Sequence, residues 1–559
     1  MLPLERGELR GWTPTLVWLG AALPLALAIT FFRVRRDVFH EQPIPLPGLA
    51  ALALGALALA LALLLLGRHV FASRVGAVAR PLPALVLLAL ISGGGALAAA
   101  RIAPTPPPPA PPPPVPPALS ARPNLILIIV DTLRADHLSC YGSRSPTPHL
   151  CALATDGGTR YLAFSHASWT KPSIATILTS LLPSSHGAIS KTARLSPQAH
   201  LLSEALQAQG YATGGIVSNI NLAPSFGFER GWDEYQYLAP DYLVGAEESS
   251  SKLVLYQLVR KVFFKLRPGH RVTDYYQDST AVNAHAFDWL ERHRAARFFL
   301  FLHYMDPHDP YFRHPYDGYA IARVESESPD PARAAEMEQL YTGEVRHVDE
   351  SVGKLVERLH ALGLYDDTAI VLTADHGEEF QEHGGWWHGT TLYDEQIHVP
   401  LLIKWPKGAA AAPPVVEDHL VRLLDVAPTL LGRAGVEIPP AMQGVDLALP
   451  NPDPAARRHF AEEDLEGNVL RALRTFDWKW IEANPGNPRG LPASELFHLA
   501  QDPAERRNLV QAEPAKAAEL RGLADAQQQL ARARHVEGGS ERSLSQAEEE
   551  RLRALGYIK

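Results

Sequence analysis

The stretch Asn124-Leu125-Ile126-Leu127-Ile128-Ile129-Val130-Asp131 restricts the fold more than any other. An aliphatic, β-branched run of this length has no polar face. It therefore reads as a strand buried on both sides, at the centre of a parallel sheet. Parallel strands need crossover connections, and helix-like and strand-like segments do alternate after it. Leu202–Gln209, the long amphipathic Glu336–Leu362 and Leu423–Leu431 have helical spacing. Tyr211–Val217, Arg297–Tyr304, Thr368–Thr373 and Leu401–Trp405 read as strands. The fold class expected is α/β, a mixed, mainly parallel sheet flanked by helices. From about Arg458 the pattern shifts to short strands, Asn468–Arg474, Lys479–Glu482 and Glu495–Leu499, which predicts a small α+β subdomain. Glu513–Leu555, rich in Ala, Glu, Gln and Arg, reads as a mostly helical surface tail.

The first hundred residues obey different rules. Trp12–Phe32, Pro47–Gly67 and Leu82–Ala100 carry no charge, and each has roughly the 20 residues needed to cross a bilayer. Three transmembrane helices are expected. Arg33, Arg35 and Arg36 in the first loop nearly balance Arg68, Arg74 and Arg80 in the second. Arg6 and Arg10 tilt the count toward a cytoplasmic N-terminus, which puts the rest of the chain outside the cytoplasm. The expected location is the inner cell membrane, multi-pass, with an extracytoplasmic soluble part. The proline run from Pro104 to Pro117 reads as an extended stalk of about 40 Å at 3.1 Å per residue. The organisation expected is a membrane bundle over 1–101, a linker over 102–121, a main domain over 122–450, the subdomain over 451–512 and the tail over 513–559.

A net charge of −9 excludes nucleic acid as the main partner. Two cysteines, Cys140 and Cys151, make no disulfide framework and no cysteine-based zinc site. They could pair if exported, but two buried free thiols are the favoured reading.

Chemistry gathers at the strand ends, where α/β folds place ligands. Asp131, Asp375 and His376 each end a predicted buried strand, and Arg297–Tyr304 runs into His303 and, just beyond, His308. Thr170-Lys171-Pro172-Ser173 opens a helix-like run. Its N-terminal N–H groups would stabilise an oxyanion, although Thr at such a place often only caps its helix. Two carboxylates, an imidazole and an alkoxide suffice to hold one divalent cation, which would lower the pKa of the Thr hydroxyl and make it a nucleophile. His303, His308 and His388 add donors for anionic ester oxygens or a leaving group.

At these residues the chain resembles the sulfatase branch of the alkaline phosphatase superfamily. The matching pieces are Arg122-Pro123-Asn124 leading to Asp131, Arg134-Ala135-Asp136-His137-Leu138, and Thr170–Ser173 followed by Leu182-Pro183-Ser184-Ser185-His186-Gly187. Gly210-Tyr211-Ala212-Thr213, His303–Tyr311, Thr373–Glu378, His388–Glu395 and Glu495–Leu509 follow in the family's order. The resemblance implies an alkaline phosphatase-like fold. It implies Asp131, Asp375, His376 and Thr170 around one metal ion, with Thr170 as nucleophile and His303 and His388 as catalytic partners. His308, Asn219 and Lys171 would bind substrate.

The departures are informative. Most sulfatases carry Cys or Ser at the nucleophile position, converted to formylglycine, in a motif that ends in Arg; here these positions are Thr170 and Ile174. The usual second Asp after the first strand is Thr132, and the family's Asp-Asn pair is Asp375-His376. Asn219 stands in the segment that usually supplies Lys and His. Gaining an imidazole shifts the metal preference from calcium toward manganese, zinc or magnesium. These features are similar to the Thr-nucleophile, membrane-bound lipoteichoic acid synthases and phosphoethanolamine transferases, which implies a phospho-Thr intermediate. The function expected is a membrane-anchored, metal-dependent hydrolase or transferase acting on phosphate or sulfate esters of an anionic lipid or glycan. The alternative is a catalytically silent relative that binds such a ligand. A basic insertion around Ala239–Asp274, with Lys252, Arg260, Lys261, Lys265, Arg267 and Arg271, reads equally as a lid or as a solvated face.

Overall fold

The structure is a computed structural model that describes residues 115–240, 271–409, 420–449, 453, 457–544, 546–555 and 557. The three apolar segments, most of the proline run and all but the ends of the basic insertion lie outside the described residues. Among the described residues no helix is long and apolar enough to cross a membrane.

Eight strands build the main sheet: β1 (Asn124–Val130), β2 (Gly158–Phe164), β3 (Ala212–Val217), β4 (Glu234–Tyr237), β5 (Phe298–Tyr304), β6 (Thr368–Ala374), β7 (His398–Lys404) and β8 (Leu420–Arg422). Their order is β8-β2-β7-β6-β1-β5-β3-β4. Every residue of β1, β5 and β6 is buried, which explains their aliphatic and aromatic composition. Only β7 runs against the rest, antiparallel to both β2 and β6. The register positions the chemistry. Val130 is level with Tyr304 on one side and with Ala374 on the other, so the residues that follow β1 and β6 emerge together.

Two helices matter for the site. Helix α1 (Thr170–Thr179) is buried along its whole length. Two of its hydroxyls are absorbed locally: Thr179 Oγ1 donates to the Ala175 carbonyl at 2.6 Å and Ser173 Oγ to the Ala167 carbonyl at 3.0 Å. Helix α2 (Ala334–Ala361) buries Met337, Leu340, Tyr341, Val345, Val348, Val352, Leu355 and Leu359, the helical stripe that its sequence predicts.

The C-terminal subdomain is an antiparallel meander of β9 (His459–Leu465), β10 (Asn468–Arg474), β11 (Trp478–Ala483) and β12 (Ser494–His498). Helix α3 (Pro514–Ala533) packs Leu520 and Ala524 onto it, against Phe460, Leu473, Trp480 and Leu496. The expectation of a surface tail over 513–559 is therefore corrected. Alternating Leu and Ala give α3 an apolar stripe, and α4 (Gln546–Ala554) with the residues after it buries Leu552, Leu555 and Tyr557 in the main core.

A second correction concerns the cysteines. Cys140 and Cys151 form a disulfide, with Cα atoms 5.6 Å apart. Both are half-buried rather than buried. The turn at Ser139–Tyr141 is drawn to the chain before Cys151 by the Ser139 N–H, which donates to Thr147 Oγ1 at 2.9 Å.

Candidate active site

The shared register of β1 and β6 sets Asp131 beside Asp375, and β5 adds His303, level with Ile129. One ligand atom from each of Asp131, His303 and Asp375 lies within 4.8 Å of the others. His376 joins them: its Nε2 is 3.4 Å from both Asp131 Oδ1 and Asp375 Oδ2. His376 Nδ1 faces the Gly377 carbonyl at 3.0 Å; a carbonyl only accepts, so Nδ1 carries the proton and Nε2 turns its lone pair to the carboxylates.

This arrangement is costly without a cation. Asp131 Oδ1, Asp375 Oδ2 and both ring nitrogens of His303 are buried with no hydrogen-bond partner. Burial, with Asp375 alongside, pushes the Asp131 carboxyl well above the usual carboxylate range, and burial raises Asp375 as well. Burial, with His308 and His376 nearby, lowers His303 to about 3, so its imidazole is neutral, the form that binds metal. Buried unpaired polar atoms are rare in folded proteins. The donor set fits one divalent ion, and it sets His303 with the candidate ligands rather than in the catalytic role that the sequence resemblance implies.

Thr170 is the first residue of α1. Trp169 holds the cap position, and Thr170 Oγ1 makes no capping bond. The capping reading fails because the hydroxyl is turned to the strand ends: Thr170 Oγ1 is 3.4 Å from His376 Nε2 and 3.4 Å from Asn219 Nδ2. Asn219 donates to Asp131 Oδ2 at 2.7 Å, so its amide ties the Thr to the carboxylate. Two β-branched or bulky residues beside the site have left-handed backbones, Thr132 at φ 58° and Trp387 at φ 70°. Such strain persists only where the surroundings hold it, and it frequently marks functional sites.

Two further imidazoles close the pocket. His308 Nδ1 donates to the Asp309 carbonyl at 2.6 Å, which leaves Nε2 as acceptor. His388 Nδ1 faces Glu378 Oε1 at 3.1 Å, and its Nε2 is buried without a partner. The rings of His388 and His376 lie 4.5 Å apart, those of His388 and His308 4.9 Å. Burial and the neighbouring cations hold both His308 and His388 well below the usual histidine range.

Lys171 is not at this site. Its Nζ donates to the carbonyls of Ser190, Lys191 and Ala193 at 3.2, 2.6 and 3.3 Å and sits 3.8 Å from the centre of the Phe226 ring. Burial lowers this amine to about 7. The expected role at the substrate is corrected because one helical step turns a side chain by roughly 100° away from its neighbour.

Three contributors escaped the sequence reading. Glu378 orients His388. Glu463 of β9 accepts from the Ser168 N–H at 3.0 Å and from Ser168 Oγ at 2.6 Å, so the subdomain clamps the loop that presents Thr170. Tyr557 puts its hydroxyl 2.8 Å from Thr170 Oγ1 and 3.0 Å from His308 Nε2. Glu378 stood inside a recognised motif; the other two gave no signal.

A protein-family model described as Sulfatase matches residues 123–436, and one described as N-sulphoglucosamine sulphohydrolase, C-terminal, matches 381–533. The chain is 27% identical over 431 residues to an ulvan-active sulfatase of Formosa agariphila, covering 70% of this chain and 77% of that protein. It is 27% identical over 400 residues to the multifunctional alkaline phosphatase superfamily protein PehA of Trinickia caryophylli, covering 58% and 76%. Among solved structures it is similar to the phosphonate monoester hydrolase of Agrobacterium radiobacter, with a TM-score of 0.55, 23% identity, and coverage of 76% of this chain and 100% of that one. A structure solved in complex with D-glucosamine-2-N,6-O-disulfate matches with a TM-score of 0.57 at 20% identity, covering 74% and 98%. At these identities the solved structures show a shared alkaline phosphatase-like α/β fold.

Proposed function

Because the chain belongs to the sulfatase family of ester hydrolases, we propose that it hydrolyses a charged phosphate or sulfate ester of a glycan or lipid, with Thr170 as the nucleophile. The observation that carries this reading is the convergence of Thr170 Oγ1, at the head of a buried helix, with unpartnered buried atoms of Asp131, His303 and Asp375.

Asp131, Asp375, His376 and His303 would hold the metal, with manganese, zinc or magnesium suiting the mixed oxygen and imidazole donors. A metal ion bound there would acidify the Thr170 hydroxyl and neutralise charge on the ester. Thr170 Oγ1 attacks phosphorus or sulfur, and the first N–H groups of α1 offer partial positive charge to the non-bridging oxygens. His308 Nε2 and His388 Nε2 flank the leaving oxygen. A substrate's negative charge in this dry pocket raises their proton affinity, so one of them can take up a proton and pass it to the departing alkoxide. Thr170 bears a single oxygen on Cβ and cannot release the group by collapse to an aldehyde as a formylglycine hydrate can. Water must therefore open the Thr ester at phosphorus or sulfur. This favours phosphoesters.

The three apolar segments would anchor the domain in a membrane, and the Cys140–Cys151 disulfide supports an oxidising, extracytoplasmic compartment. Sulfated glycans enter as a substrate class through the relatives. The test is turnover of an aryl phosphodiester, an aryl phosphomonoester and an aryl sulfate by metal-reconstituted protein. Hydrolysis lost in Thr170→Ala supports the reading; full activity in Thr170→Ala contradicts it.

A further inference from the structure

Asp131, Thr170, His303, His308, Asp375 and His376 are all wholly buried, and Tyr557, itself 1% exposed, sets its hydroxyl among them, against Thr170, Asn219 and His308. The Tyr557 oxygen is held in a directed way. His308 Nε2, 3.0 Å away, can only accept, because Nδ1 is committed to the Asp309 carbonyl; the phenol therefore donates to it. Asn219 Nδ2 donates to the same oxygen at 3.3 Å, and Thr170 Oγ1 stands 2.8 Å from it. A leaving alcohol that had just received its proton from His308 would make this same set of bonds. The ring lies between Trp169 at 6.4 Å and His388 at 5.8 Å, centre to centre.

We propose that Tyr557 is an internal surrogate of the leaving alcohol, occupying the leaving-group subsite of this chain's own active site and closing it until substrate displaces the C-terminal segment. The segment is fastened as a strap with two kinds of attachment. Ser540–Glu541 pairs with Ala193–Arg194 as a short antiparallel ladder, and the Arg542 guanidinium holds Glu548 at 2.8 Å, Glu548 in turn accepting from Ser225 Oγ at 3.0 Å. These anchors lie away from Thr170; beyond them the Arg551 guanidinium donates to the Tyr237 hydroxyl at 3.3 Å and Leu552 and Leu555 are buried, so displacing Tyr557 withdraws these side chains with it while the anchors keep the strap attached. The carbonyls that receive Lys171 Nζ belong to the strand Ala193–Arg194 and the turn before it. The residue after the nucleophile thus braces the strap's docking strand.

The proposal rests on Thr170 marking the reaction centre, so its test includes a readout that needs no turnover. With Cys140 and Cys151 paired, Thr170→Cys introduces the chain's only free thiol. Its alkylation rate by iodoacetamide is compared in the Tyr557, Tyr557→Phe and Tyr557→Ala backgrounds of the full chain. If the closed state is the major one, Tyr557→Ala raises the labelling rate by about ten-fold, and the same variant with Thr170 intact raises kcat/KM on an aryl ester by a similar factor. Tyr557→Phe keeps the ring and loses the hydrogen bonds, so it falls between and decides the matter if the Ala variant melts early. Equal labelling in all three backgrounds overturns the strap. Faster labelling without turnover of any ester would keep the strap and defeat the proposed reaction. A fall in kcat/KM in both Tyr557 variants would overturn the surrogate role and make the phenol part of the machinery.

Discussion

His388 Nδ1 lies 3.1 Å from Glu378 Oε1, three residues beyond Asp375, so the turn that ends β6 delivers both a carboxylate of the candidate metal site and the group that aims an imidazole. Tyr311 donates to the other oxygen of Glu378 at 2.8 Å. The ring of His388 is therefore set with Nε2 facing the pocket.

Removing that orientation should cost activity without unfolding the chain. Glu378→Gln is expected to lower kcat by about 10–100-fold, the usual effect of removing a group that orients a site imidazole. Metal content and melting temperature should stay near wild type, and steady-state kinetics with metal analysis checks both.

Metal should stabilise the fold as well as activate it. Adding manganese or zinc to chelated protein is expected to raise stability by about 4 kcal/mol at a thousandfold excess over Kd. Asp131→Asn and Asp375→Asn should lose most of the metal and most of this gain. Thermal melts with and without metal read it out.

A buried ion cluster welds the subdomain to the main domain. Lys479 Nζ sits 2.7 Å from Asp394 and 2.8 Å from Glu505, and Arg474 is 3.1 Å from Asp394. Asp394→Asn takes the carboxylate from Arg474 and leaves Lys479 with Glu505, and a loss of about 3–5 kcal/mol in denaturant unfolding is expected.

One histidine sets a pH dependence. Burial alone would depress His347, but its contact with Asp278 at 3.4 Å and the charges of Asp306 and Glu344 outweigh burial and raise it to about 9. A raised pKa contributes stability that is fully present below the unfolded value near 6.5 and is lost as pH rises through 9. His347→Gln should therefore be less stable than wild type by on the order of 2–3 kcal/mol at pH 6, with the gap closing by about pH 10.

Much of this is legible in the amino-acid sequence. The strands β1 and β6 declare themselves because burial on both faces makes them almost wholly apolar, and an ionisable residue directly after each points to the strand ends. That pattern singles out Asp131, Asp375 and His376; Thr170 is read separately, from the helix-like run that it opens. Direction and rotation are not legible in the same way. The antiparallel course of β7 is invisible because its apolar composition suits either direction. Lys171 adjoins Thr170 in sequence, yet the helix turns it into a cluster of carbonyls. His303 is plain as a residue, but its membership of the carboxylate group depends on the β1–β5 register. Tyr557 could not be found at all: a single aromatic in a polar, helix-forming tail meets Thr170 across 387 residues of chain.

The most direct measurement is the mass spectrum of the Thr170 peptide after acid quench during turnover of an aryl phosphodiester or an aryl sulfate. A phosphoryl or sulfuryl group on Thr170, absent in Thr170→Ala, is the predicted result. Turnover with the added group on another residue, or undiminished turnover in Thr170→Ala, would contradict the account.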